Sequence, residues 1–202
     1  MNKVLAFIFF VVAVTGMFSC TSKLYPRQYY EKHKATIHEI EALYKKITAS
    51  RLLSVAFYDL GFSDISLEFK TDSVRYIYDF AYHESRINDS LARFGFDIAM
   101  VQKMIGDMRR IGCSWINNLD YYVDGKKQYL VFMSVPVKQF SLFPVLQKNK
   151  YYLFNFYAQP QYYDEQGRLL DKKKLQHLRK INSEVFRRIN EKVCYTISGK
   201  FR

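Results

Sequence analysis

The chain has 202 residues, a formal net charge of +12 and 49% hydrophobic residues. With 17 Tyr and 17 Phe against only 8 Gly and 4 Pro, it has the apolar content of a packed core and not the composition of a disordered chain. Beyond the leader, about 180 residues suit one domain. The chain opens Met1-Asn2-Lys3, runs through the apolar stretch Val4–Val14, and closes on Thr15-Gly16-Met17-Phe18-Ser19-Cys20. That order is a positive end, an apolar run and a short small-residue region, as in secretory signals. The apolar run is too short to span a bilayer, which needs about 20 such residues.

Met17-Phe18-Ser19-Cys20 resembles the lipobox of bacterial lipoproteins, in the looser form of Bacteroidota. The resemblance covers the leader alone. It implies diacylglyceryl addition to the Cys20 thiol, cleavage before that residue, and anchorage in a lipid bilayer through acyl chains. Residues 1–19 are then a signal peptide, 20–25 a lipidated tether, and 26–202 a single α+β domain. No Asp follows Cys20, and Thr21-Ser22-Lys23 lacks the acidic run that resembles a surface-export signal. The resemblance therefore implies an outer-membrane lipoprotein facing the periplasm. Export excludes a nucleic-acid partner for the basic chain.

Pro26 suits the first turn of a helix. Tyr30, His33, Ile37, Ile40, Tyr44 and Ile47 then recur at steps of three and four, which predicts one helix to about Ser50. "RLLSVAFYDLGFSD" reads either as a short helix or as a strand. "ISLEFK" and "VRYIYDFAY" alternate with period two around "TDS", which predicts a hairpin. "FDIAMVQKMIGDMRRIG" predicts a second helix with Ile98, Val101, Ile105 and Met108 on one side and Gly112 as its stop. "CSWINNLDYY" and "QYLVFMSVPV" predict a second hairpin turning at Asp124-Gly125, with Pro136 at a strand end or sheet edge. A strand over "YYLFNFYAQ", a turn at Glu165–Gly167, a third helix from an Asp171 cap to about Glu191, and a last strand "VCYTISGKF" complete the chain. The expectation is an α+β fold with a single antiparallel sheet of about five to six strands and three helices packed on one face.

Cys113 and Cys194 each fall at a predicted helix-to-strand junction. They are read either as a disulfide, which an oxidising periplasm permits, or as two small strand thiols. The four histidines, His33, His38, His83 and His177, share no metal-ligand spacing. No nucleophile motif or Gly-rich phosphate loop is present. No catalytic residue, metal or cofactor is therefore expected. The predicted third helix would gather Lys172, Lys173, Arg179, Lys180 and Arg187 on one face. That face reads either as solvated or as a contact for anionic lipid. The tandem pairs Tyr121-Tyr122, Tyr151-Tyr152 and Tyr162-Tyr163 would leave rings on an open sheet face able to take a glycan, a peptide or a lipid. The function expected is a non-catalytic binding or assembly module of the envelope, with an envelope protein as a further partner class. The alternatives are an immunity-type lipoprotein that binds a protein toxin and an enzyme with a dispersed active site.

Overall fold

The computed structural model describes residues 24–71, 73–123, 126–137, 149–172 and 174–199. The leader with Cys20, the Asp124-Gly125 turn and Lys173 lie outside the described residues. By its internal packing the chain divides into an N-terminal unit, Met1–Lys34, and a main unit, Ala35–Arg202. Helix α1, Leu24–Ile47, runs from one into the other. In the main unit its predicted stripe is buried at Ile37, Ile40, Tyr44 and Ile47.

Strands β1 (Leu52–Phe57), β2 (Asp64–Lys70) and β3 (Arg75–Ala81) follow as an antiparallel meander. The ambiguous stretch after α1 is thus a strand. Its core-facing Leu53, Val55 and Phe57 are at most 1% exposed, the burial expected of an interior strand. Helices α2 (Arg86–Arg93) and α3 (Ile98–Ile111) come next. The Asp97 carboxylate accepts the Met100 N–H at 2.9 Å and so caps α3. Gly112 ends it in the left-handed region, at φ 73°. Val101, Met104, Ile105 and Met108 of α3 are fully buried.

Strands β4 (Trp115–Val123), β5 (Lys126–Pro136) and β6 (Tyr151–Phe156) extend the meander. Pro136 stands at the end of β5, where its missing N–H disturbs the ladder least. The short strands β7 (Lys180–Ile181), β8 (Glu184–Val185) and β9 (Arg187–Arg188) precede β10 (Val193–Ser198). The fold is α+β, with a large antiparallel sheet of eight strands in the order β3-β2-β1-β4-β5-β6-β10-β9 and a separate two-stranded ribbon, β7-β8. Eight strands exceed the five to six expected, because β1 and the short β9 join the sheet.

The third helix expected over 171–191 does not form. The three helices among the described residues are α1, α2 and α3, and the 171–191 segment holds turns and two-residue strands. Asp171 does cap, accepting the Lys174 N–H at 3.2 Å, but the chain turns back: His177 donates its N–H to Lys174 and receives that of Asp171. Asn182 and Ser183 both hold positive φ, 51° and 69°. Such a pair makes a type I′ hairpin between β7 and β8. Two left-handed residues in succession are incompatible with a helix.

This segment instead covers the second face of the sheet. Leu169 and Phe186 are fully buried with Tyr121, Leu130, Phe132, Leu153, Tyr157 and Cys194. The open tyrosine face expected from the sequence is therefore closed. Tyr121 is 3% exposed in that core while its neighbour Tyr122 is 68% exposed, the alternation a strand imposes.

The cysteines are free and buried, which overturns the disulfide reading. Cys194 pairs across with Asn155, Asn155 with Phe132, and Phe132 with Asn117. Cys113, just before β4, thus lies three strands away, about 14 Å at ordinary strand spacing. A disulfide needs Cα atoms within about 7 Å.

Candidate functional site

The connection between α1 and β1 brings Thr48, Ser50 and Arg51 to one end of the sheet. The end of β2 adds Phe69 and Lys70, the end of α2 adds Arg93 and Phe94, and β4 and β5 add Asn118, Lys127 and Tyr129. Together they enclose a groove of ≈ 930 Å³.

Its floor is aromatic. Phe94 stacks on Phe69 with ring centroids 4.2 Å apart and planes 8° from parallel. Phe96 tilts against the same Phe69 ring at 5.6 Å. Phe69 and Phe96 are buried, while Tyr129 is 46% exposed at the rim. Offset and tilted packing of this kind suits the ring quadrupoles.

Its walls are cationic. Lys45, Arg51, Lys70, Arg93 and Lys127 line it, and among the described residues no Asp or Glu does so. Lys45 bonds Glu41 at 2.6 Å and Lys127 bonds Asp120 at 3.0 Å, so two of the five are balanced from outside the groove. The hydrogen bond to Asp120 holds the Lys127 ammonium above its ordinary pKa. Arg51, Lys70 and Arg93 have no carboxylate within ion-pair distance among the described residues. Two helix C-termini also border the groove, and such ends carry about half a negative charge each. Lys45 and Lys46 sit in the last turn of α1 and Arg93 in that of α2. The Arg51 guanidinium donates to the Phe94 carbonyl at the end of α2.

Gly95 secures this corner. It holds φ +69°, and a Cβ there would run into the Arg51 guanidinium. The left-handed φ is the condition that favours glycine, while the long Arg51 side chain can swing aside from a Cβ.

Of the basic residues singled out in the sequence, the described ones are not gathered on one helix face. Lys172 is exposed on a turn and Lys180 on β7, while Arg187 is half-buried in β9 opposite Tyr195. Arg179 points inward, its guanidinium 5.9 Å from the Tyr121 ring and 5.7 Å from that of Tyr157. It is a cation–π lid on the second core, not part of an outer face. The groove cations escape sequence reasoning because they lie far apart between positions 45 and 127, on α1, the connection before β1, β2, α2 and β5. No run or period in the sequence marks them.

A second cavity, ≈ 710 Å³, lies between the His38–Lys45 flank of α1 and the turn before β10. It mixes Glu41 and Glu191 with Lys45, Arg188 and Lys192, so it favours neither sign of charge. Neither cysteine is poised as a nucleophile. Burial pushes the Cys113 thiol up to about 12 and raises that of Cys194 as well, so both stay protonated at neutral pH. His38 bonds Glu41, and His83 packs edge-on against Tyr82. Among the described residues no group of three or more His, Cys, Asp or Glu is placed to hold a metal ion. No described helix is long and apolar enough to cross a membrane.

No protein-family model matches the chain, and no curated protein or solved structure matches it.

Proposed function

We propose that this chain is an envelope lipoprotein, anchored through acylated Cys20 on the periplasmic side of the outer membrane. Its main unit is a non-catalytic binding module whose groove takes a phosphate-bearing lipid headgroup. The leader carries the first part of this reading through its apolar run and lipobox. The observation that carries the second is the groove lined, among the described residues, by five cations and no carboxylate over a floor of Phe69, Phe94 and Phe96.

Such a site suits a ligand with an anionic end and an apolar remainder. Arg51 and Arg93 offer planar forks that match phosphate oxygens, and Lys70 adds a point charge. The half-buried Phe94 ring and the exposed Tyr129 ring offer apolar surface to a glycerol or acyl portion. Lys and Arg stay charged through the physiological range. Affinity is therefore flat in pH and falls with salt, as expected where the Debye length is ~8 Å at physiological ionic strength.

The test is titration of the full chain, in a non-ionic detergent, with a water-soluble short-chain phosphatidylglycerol. Saturable binding is expected, and a phosphatidylcholine of the same chain length binds less. Lys70→Glu with Arg93→Glu weakens phosphatidylglycerol binding roughly tenfold or more. Lys172→Glu with Lys180→Glu leaves it unchanged. Equal binding by the groove variant and the parent rules the groove out, and loss only in the second variant returns the function to the 172–187 segment.

A further inference from the structure

We propose that two copies of this chain associate through strand β3, antiparallel about Ile77, so that their sheets join edge to edge. Strand β3 is the outermost of the eight, and no described strand pairs with its outer side. It runs seven residues, Arg75 to Ala81, in unbroken register with β2, without Pro, Gly or a bulge. Natural sheets usually blunt a long straight edge with one of these. The opposite edge is blunted: β9 has two residues, and Arg188 donates its N–H to Gly167.

The direction of the free backbone groups follows from the turn bonds at both ends of β3. Thr71 donates its N–H to the Val74 carbonyl, and the Val74 N–H goes to Thr71 Oγ1. Tyr82 donates its N–H to Ser63. Even-numbered residues therefore turn their N–H and C=O toward β2. By the alternation of an antiparallel ladder, Arg75, Ile77 and Asp79 turn theirs outward.

The side chains make this edge complementary to itself. Around Ile77 the strand reads Arg75-Tyr76-Ile77-Tyr78-Asp79. A two-fold axis through Ile77 sets Arg75 of each copy opposite Asp79 of the other, Tyr76 opposite Tyr78, and Ile77 opposite Ile77. The outward residues then form three narrow pairs and about six backbone hydrogen bonds. Opposite charges and paired aromatics are the favourable cross-strand partners. A slip of two residues sets Arg75 opposite Ile77, and a slip of four sets it opposite another Arg75. Only the register about Ile77 satisfies both charges, so the contact is isologous and closes as a dimer. The monomer already holds these side chains in place. Arg75 Nε bonds Glu68 at 3.0 Å and leaves its other N–H groups to spare. Asp79 accepts from the Tyr58 hydroxyl at 2.6 Å. Ile77 is 54% exposed and Tyr76 38%, so the dimer also covers apolar surface.

The test is sedimentation of the full chain in a non-ionic detergent. The parent is expected as a dimer that dissociates on dilution. Arg75→Asp and Asp79→Arg are each expected as monomers, because either places like charges opposite one another twice. The double variant Arg75→Asp/Asp79→Arg restores opposite pairs and is expected to dimerise again. An Ile77→Cys chain gives a second readout, since Cys113 and Cys194 are buried: a short bismaleimide links it into dimers, and adding Arg75→Asp abolishes the link. The proposal is overturned if the parent stays monomeric up to millimolar concentration. It is equally overturned if the single swaps keep the dimer mass or the double swap stays monomeric while Ile77→Cys fails to cross-link.

Discussion

Cys113 and Cys194 show how one side chain couples to stability. Each thiol sits fully inside the protein, where ionisation is disfavoured by the loss of hydration. For Cys113 the pKa rises from 9.0 to about 12. The native state therefore keeps a proton that the unfolded chain releases above its own pKa. The stabilisation is complete below the unfolded value and is lost as pH rises through the folded one. Between pH 9.0 and about 12, the unfolding free energy should fall by about 1.4 kcal/mol per pH unit for each such group. Denaturant titration across that range should show a shallower fall for Cys113→Ala than for the parent; parallel slopes would refute the assignment. The same burial makes both thiols silent to maleimide until the chain is unfolded. Their identity is plain in the sequence, but their separation by three strands is not, because spacing along the chain says nothing about order across a sheet.

At the scale of elements, the strongly periodic segments were legible. Helix α1 buries Ile37, Ile40 and Tyr44 on the predicted stripe, and α3 starts at its Asp97 cap and stops at Gly112. Asp97→Ala should lower stability by about 1 kcal/mol through loss of that cap, measured as a shift in the denaturant midpoint at constant slope. The 171–191 segment was misread because Leu178, Ile181, Val185, Phe186 and Ile189 also fit a helical wheel. Short apolar runs do not separate the two periods. The discriminating signal was Asn182-Ser183, two residues in the left-handed region between short β-branched stretches. Ser183→Gly, which relieves the φ of 69° there, should hold or raise stability, whereas Ser183→Val should lower it by about 1 kcal/mol or more. Equal stability of the two variants would contradict the I′ turn. Helix α2 carried no expectation at all: at eight residues it is too short for its pattern to stand out.

At the scale of the whole molecule, the anchor is the prediction that belongs to the leader. Cys20→Ala should abolish acylation and leave the chain uncut or unanchored, as read by mass spectrometry of the N-terminus and by membrane fractionation. An unmodified parent starting at another residue would contradict it. Local periodicity and turn residues by themselves determined the α+β class, two of the helices and the two hairpins. These features depend on near neighbours in the chain, whose spacing the sequence displays directly. Only the tertiary structure decided which strands are neighbours, how the 157–192 segment closes the tyrosine face, and that Arg179 turns inward. It alone assembled the groove, because Lys45, Arg51, Lys70, Arg93 and Lys127 meet through sheet order and helix placement. Those are settled by the burial of a shared core, a property of the whole chain and not of any stretch within it.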